Sequence, residues 1–138
     1  MRVTADTNTV ISGLLWRGNP RKILDAARDG IIDLFTTQEL VGELEGVLSR
    51  SRFAKHLAAA NVSVSELVAG YAALAELIEP VSIEAVVIRD PDDDAVIACA
   101  VASESEAIVS GDDDILSLKR HGAIRMVTAA ELVSELNL

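Results

Sequence analysis

Short apolar runs alternate along the chain with longer stretches in which apolar residues recur every three or four positions. The short runs predict β-strands near residues 2–5, 31–36, 81–88, 107–110 and 124–127. The longer stretches predict helices near 9–15, 21–28, 36–48, 53–57, 63–78, 92–103, 113–119 and 129–136. Strands that alternate with helices favour a parallel sheet covered on both faces. We therefore expect an α/β fold, a single domain over residues 1–138 with a central parallel sheet of four to five strands and helices on both faces.

Several helix starts carry recognisable signals. Pro20 is suited to the first turn of the second helix, and Gly30 is suited to close it. A Ser or Thr followed three residues later by Glu predicts a capping box. Such pairs at predicted helix starts are Thr36 with Glu39, Ser63 with Glu66, and Thr128 with Glu131.

The composition is aliphatic, with 50% apolar residues but only 3% aromatic ones. The single cysteine, Cys99, lies in an apolar run, so we expect a buried thiol and no disulfide within the chain. Asp6 comes too early for the apolar part of a signal peptide, and no apolar run approaches the length of a membrane span. We therefore expect a soluble cytoplasmic protein with no membrane partner.

The charge is unevenly distributed. The net charge is −10, which argues against a protein that coats nucleic acid. Residues 90–114 contain nine acids and no base. The bases gather outside this acidic centre, in the groups Arg17, Arg21, Lys22 and Arg28; Arg50, Arg52 and Lys55; and Lys119, Arg120 and Arg125.

The densest acidic stretch is DPDDDAVIACA, residues 90–100. Asp90 can cap a helix, Pro91 suits its first position, and carboxylates in the first turn favour the helix dipole. Helix capping therefore accounts for Asp90, Asp92 and Asp93. Asp94 lies a full turn in, beside Ile97 and Ala98, so it faces the core or a cleft and needs a partner.

Three more carboxylates occupy positions that suggest chemistry. Asp6 ends the first strand and Asp112 follows the strand AIVSG. If those strands are neighbours, both acids fall at the same edge of the sheet, where α/β proteins bind ligands. Glu43 shares a helix stripe with Leu40 and Val47, although an ordinary solvated helix face also explains it. A set made only of carboxylates selects a hard cation, Mg²⁺ or Mn²⁺.

Two known carboxylate motifs fit poorly. An EF-hand starting at Asp90 requires glycine where Ala95 stands and glutamate where Val101 stands. A haloacid-dehalogenase-type phosphatase requires a general acid two residues after its first aspartate, and that position is Asn8.

The ordered series ADTNTVISGLL (5–15), ELVGELEGVLSRSRF (39–53) and DPDDDAVIACAVASESEAIVSGDDDIL (90–116) resembles the PIN-domain ribonucleases, which include VapC-like toxins of toxin–antitoxin pairs. The resemblance implies a Mg²⁺- or Mn²⁺-dependent endoribonuclease that leaves a 3′ hydroxyl and a 5′ phosphate. It also implies an RNA substrate, a small antitoxin partner and a homodimer. The catalytic and metal-binding set that it implies is Asp6, Glu43, Asp94 and Asp112, with Asn8, Ser110 and Asp114 as further polar positions. Ser110 stands where threonine is common, and Asp113 stands where lysine is often found.

The basic residues offer a route for RNA around the acidic site. We expect Arg17, Arg21, Lys22, Arg50, Arg52 and Lys119 to be the positive rim, although each is equally explained as an ordinary surface base. Trp16 and Phe53 are able to stack on bases, but their apolar neighbours favour core packing. His56 and His121 are expected at the surface. The alternative function is a PIN fold without useful catalysis, acting as a metal-stabilised binding or regulatory module.

Overall fold

The computed structural model describes the backbone of residues 1–80 and 91–138, and the side chains of residues 1–80 and 94–138. The strands in this part of the chain are β1 (Arg2–Ala5), β2 (Asp33–Thr36), β3 (Glu76–Leu77), β4 (Ala107–Val109), β5 (Arg120–His121) and β6 (Ile124–Val127). The helices there are α1 (Thr7–Leu15), α2 (Asn19–Arg28), α3 (Gln38–Leu48), α4 (Ala54–Ala60), α5 (Val64–Leu74), α6 (Pro91–Ala102), α7 (Asp113–Leu116) and α8 (Ala129–Leu136). A short 3₁₀ turn, Ser51–Phe53, precedes α4. The α/β class is confirmed.

The strands form one sheet in the order β3-β2-β1-β4-β6-β5. All of the pairings are parallel except that of β5 with β6. β1 lies between β2 and β4, and Ala5 at its end pairs with Val109 at the end of β4. The residues that follow β1 and β4 therefore emerge side by side at one edge of the sheet.

Helices cover both faces of this sheet, as expected. Neighbouring strand residues enter opposite cores: Leu34 joins the core of α1, α2, α3 and α8, whereas Phe35 joins the core of α6 and α7. Ala107 and Ile108 divide between the two cores in the same way. Such alternation is the two-residue period of a strand buried on both faces.

Helices α1 and α2 approach closely at Gly13. A Cβ atom at this position would lie 2.7 Å from Leu24 Cδ1 and 2.9 Å from the Pro20 carbonyl oxygen. The Arg21 guanidinium lies at the same junction and donates hydrogen bonds to the carbonyl oxygens of Gly13 and Leu14. Arg21 therefore satisfies carbonyls at the end of α1 that have no partner within the helix.

The predicted helix caps are partly confirmed. Thr128 and Glu131 form a complete capping box at α8, and the Ser63 hydroxyl accepts from the Glu66 N–H at α5. The prediction for α3 was wrong by one residue, because Thr36 ends β2 and the Thr37 hydroxyl accepts from the Leu40 N–H. Because Thr36 is part of the paired strand β2, the next residue, Thr37, caps the helix.

Two helices end earlier than expected, and the sheet gains a strand that was not predicted. The helix predicted to reach Ile78 ends at Leu74, because the following residues pair with the free edge of β2 as β3. The short helix expected to reach residue 119 ends at Leu116. The next turn leads into β5, which adds an antiparallel edge strand and brings the sheet to six strands within the described residues. The strand predicted at 81–88 and the cap predicted at Asp90 lie outside those residues.

Cys99 is buried, as expected, and accepts a hydrogen bond from the Thr4 hydroxyl at 3.8 Å. Thr4, Ser103 and Ser105 connect their hydroxyl groups beside it, with oxygen–oxygen distances of 2.9 and 2.6 Å. These buried hydroxyl groups and the thiol are therefore paired with one another.

No single helix in the described parts of the chain is long and apolar enough to cross a membrane. Two successive segments, Ser51–Ala60 and Val64–Leu74, reach the required length and apolar composition only when they are taken together, and the chain bends by 83° between them.

Candidate active site

Asp6 lies where β1 ends and α1 begins, and its side chain is 5% exposed. One carboxylate oxygen, Oδ1, accepts from the Thr9 N–H at 2.8 Å and caps α1. The other, Oδ2, accepts from the Ser110 hydroxyl at 2.5 Å. The carboxylate is therefore held at both oxygens, and each oxygen retains acceptor capacity for a further partner.

Ser110 connects Asp6 to Asp112. Its buried hydroxyl donates to Asp6 and accepts from the Asp112 N–H at 2.9 Å. Asp112 in turn caps α7, since its Oδ1 accepts from the Asp114 N–H at 2.8 Å. Four of the residues singled out from the sequence, Asp6, Ser110, Asp112 and Asp114, thus form one hydrogen-bonded chain at the sheet edge.

An open cleft of about 420 Å³ adjoins this chain of hydrogen bonds. Its lining comes from the starts of three helices and the loop after β4: Asn8, Thr9 and Ser12; Asn19 and Pro20; Thr128, Ala129 and Ala130; and Ser110, Gly111 and Asp112. Helix starts carry partial positive charge and backbone N–H groups that favour anions. The cleft therefore combines the Asp112 carboxylate with a lining that accepts negative charge. Asn8 is exposed at its edge.

Glu43 and Asp94 lie on other elements. Glu43 is half-buried on α3, and Asp94 is half-buried in the second turn of α6. α3 packs against both α1 and α6, and α6 packs against β1 and β4. Both acids therefore belong to helices that surround the end of β1, and both have interaction partners.

The fit to a metal ion is a matter of donor chemistry. The side chains concerned supply only oxygen donors, which suits Mg²⁺ or Mn²⁺. Among the side chains of residues 1–80 and 94–138, however, no three His, Cys, Asp or Glu side chains lie close enough together to hold an ion. Ser110 joins Asp6 to Asp112. No third acid completes a cluster with these two in the described structure.

Tyr71 is a feature of the site that sequence reasoning missed. It is 3% exposed on α5 and lines a small cavity with Thr7 and Thr36, next to the end of β1. Burial raises the pKa of its hydroxyl well above the ordinary value, and the nearby charges of Cys99 and Asp6 raise it further. The sequence feature that could have drawn attention to Tyr71 is that it is the only tyrosine in a chain poor in aromatic residues.

One expectation about the two aromatic side chains needs correction. Phe53 is buried as expected, but Trp16 is 47% exposed, so the prediction of core packing for Trp16 was wrong. Trp16 sits just after α1, where its indole lies near the rings of Phe53 and His56. Arg21, expected at the rim, is engaged with the end of α1.

A comparison with protein families gives a match to the PIN domain over residues 2–114. The match covers most of the chain, and the chain belongs to the PIN-domain family. PIN domains are generally nucleases that act on RNA, and they typically use divalent metal ions. A search of the curated proteins found no match.

Proposed function

We propose that this PIN-domain protein is a Mg²⁺- or Mn²⁺-dependent endoribonuclease, and that Asp6, Glu43, Asp94 and Asp112 are its catalytic and metal-binding residues. The hydrogen-bonded connection of Asp6 to Asp112 through Ser110 is the observation that carries this proposal. It holds two of the four acids together at the edge where parallel α/β sheets bind ligands.

The chain's own residues prepare the site. Thr9 and Ser110 fix both oxygens of Asp6, and Asp114 fixes one oxygen of Asp112, so neither carboxylate has to reorient when a substrate arrives. The helix starts that line the cleft supply N–H groups toward an RNA phosphate. Asn8, at the mouth of the cleft, is a candidate for substrate contact.

Asp6 and Asp112, with Asp94 and Glu43, would hold the divalent ion. When bound, such an ion stabilises negative charge at the phosphorus and lowers the pKa of coordinated water. Glu43 is the candidate for orienting the attacking water. In-line attack with a 3′ hydroxyl leaving group yields a 5′ phosphate product.

The biological role that we propose is that of a toxin in a toxin–antitoxin pair. This rests on the resemblance to VapC-like proteins, and it includes a small antitoxin partner and a homodimer in the cytoplasm. The same domain without catalysis, serving as a binding module, is the competing function.

The deciding experiment compares the wild type with Asp6→Asn. Purified protein is incubated with single-stranded RNA and Mn²⁺, and the products are resolved on a gel. We expect the wild type to cleave and Asp6→Asn to lose at least a hundredfold of the rate, since a metal-binding carboxylate is replaced by a neutral amide. Equal cleavage by both proteins would indicate a contaminating nuclease. Cleavage by neither would favour the binding module.

Ser110 gives a sharper pair of variants. Ser110→Ala removes the hydrogen bonds to Asp6 and Asp112, and we expect about a tenfold or greater loss of rate together with a smaller rise in melting temperature on adding Mn²⁺. Ser110→Thr keeps the hydroxyl and should retain most of both. An Ala variant that matches the wild type in rate and in Mn²⁺ response would contradict the role given to Ser110.

A further inference from the structure

Two segments of this acidic chain contain no acid at all. Residues 7–24 hold Arg17, Arg21 and Lys22, and residues 46–65 hold Arg50, Arg52 and Lys55. Together they carry six of the twelve Lys and Arg residues and none of the 22 Asp and Glu residues. A protein with a net charge of −10 therefore keeps two locally positive segments.

The fold brings these two segments together at the end of α1. The Trp16 ring centroid lies 6.5 Å from that of Phe53 and 5.5 Å from that of His56. The His56 ring nitrogen Nε2 forms a hydrogen bond with the Leu15 carbonyl oxygen at 3.2 Å. The position of the indole is therefore fixed by contacts from the second segment.

Four bases of these two segments, Arg17, Arg50, Arg52 and Lys55, are exposed. With the side chains of residues 1–80 and 94–138, Arg17, Arg50, Arg52 and Lys55 form no ion pair, whereas Arg28 pairs with Asp25 and Asp29. The Arg52 guanidinium carbon lies 4.8 Å from the centroid of the Phe53 ring. We call the set Trp16, Arg17, Arg50, Arg52, Lys55 and His56 the Trp16 patch.

We propose that the Trp16 patch binds single-stranded RNA, with a base stacked on the exposed face of the indole and the four bases of the patch contacting phosphates. An exposed aromatic face among cations is the combination that proteins use to hold unpaired nucleotides. This inference rests on the proposed RNA substrate and adds a binding surface outside the catalytic cleft.

The distance between the catalytic cleft and the Trp16 patch determines how long an RNA must be to bind at both. α1 starts beside Asp6 and ends beside Trp16, and its nine residues span about 13 Å. A strand must therefore be several nucleotides long to occupy both. The patch is expected to strengthen the binding of long RNA and to leave the cleavage of very short RNA unchanged.

The chain offers a direct probe, because Trp16 is its only tryptophan. Single-stranded oligoribonucleotides are titrated into the Asp6→Asn protein without divalent metal, and the tryptophan fluorescence is followed. Stacking of a base on the indole should quench the emission, with a midpoint that matches binding measured by the anisotropy of labelled RNA. Polyglutamate is the control for binding of an acidic polypeptide. Dilution of the protein without RNA is the control for binding of a second copy of the chain.

Matched variants test the energetics. Trp16→Ala should weaken the binding of long RNA about tenfold, and Trp16→Phe should retain most of the affinity. Arg52→Gln and Lys55→Gln should each weaken binding severalfold at low salt, whereas Arg28→Gln, an exposed base outside the patch, should not. Circular dichroism confirms that each variant is folded.

Several outcomes would overturn the inference. They are RNA binding without a change in tryptophan emission, equal quenching by polyglutamate, or an emission change on dilution alone. Affinity of Trp16→Ala equal to that of the wild type would do the same. If the wild type cleaves RNA while any of these is observed, only the Trp16 patch fails. If RNA is neither bound nor cleaved, the proposed function fails with it.

Discussion

Ser110 shows how one small side chain can organise two charged ones. A hydroxyl both donates and accepts, so a single buried oxygen serves the Asp6 carboxylate and the Asp112 backbone at the same time. The four acids could be singled out from the sequence because strand ends and helix stripes are readable. The connection through Ser110 could not, because it joins residues 104 positions apart and depends on the pairing of β1 with β4.

The raised pKa of Cys99 predicts how the stability of the protein depends on pH. Burial raises the pKa of its thiol from 9.0 to about 11, against a smaller opposing effect of the hydrogen bond from Thr4. Above pH 9 the unfolded chain therefore loses a proton that the folded chain keeps. Stability should fall by about 2–3 kcal/mol as the pH rises from 9 toward 11. Tyr71, whose pKa is also raised, adds to the fall at the upper end.

Denaturant titrations across this range measure the effect. In Cys99→Ala the stability should change much less as the pH approaches 10, even if the overall stability is lower because a cavity forms. If the stability of Cys99→Ala falls with pH as steeply as that of the wild type, groups other than Cys99 cause the fall.

At the scale of elements, the contact between α1 and α2 is the tightest in the described structure for a glycine. Gly13→Ala should destabilise the protein by about 1–3 kcal/mol, because the added methyl group meets a backbone oxygen and Leu24. α2 would have to move away from α1, and the start of α2 lines the cleft. Thermal and denaturant unfolding provide the measurement.

Gly46→Ala is the matched control. Gly46 also lies inside a helix, α3, and a Cβ atom there would meet nothing within 4 Å. The substitution should be neutral or stabilise the protein by up to about 1 kcal/mol, since alanine favours helix. Equal destabilisation by both substitutions would show that the close approach at Gly13 is not the cause.

The element pattern was largely predictable, and the departures have local causes. Apolar periodicity located the main strands and helices because one face of each is buried. The cap of α3 was misplaced because Thr36 and Thr37 are both acceptable caps, and only strand pairing decides between them. β3 and β5 have two residues each, too few to show a period, and tertiary pairing alone creates them.

Along the sequence of the whole molecule, residues 90–114 hold nine acids and no base, whereas the bases of the Trp16 patch lie in segments without acids. This charge pattern can be read from the sequence. The exposure of Trp16 could not be predicted, because an apolar sequence neighbourhood does not tell which neighbours remain uncovered after folding.

The net charge leads to a prediction about salt. Self-repulsion of a chain at −10 should weaken as salt rises, so NaCl should raise the melting temperature modestly. MgCl₂ at matched ionic strength should raise it further if the acids bind the ion, and this extra rise should be smaller in Asp94→Asn. Identical effects of the two salts on the wild type would leave screening as the whole explanation.

Asp6 has two separable duties, since its carboxylate starts α1 and is also proposed to serve catalysis. A chain that had abandoned RNA cleavage would still gain from an aspartate here, because losing a helix cap costs about 1 kcal/mol. The presence of aspartate at this position is therefore weak evidence of activity by itself. Asparagine also caps helices well but cannot supply the charge, so the tolerance of position 6 to asparagine in related chains would separate active lineages from those retained only for their fold.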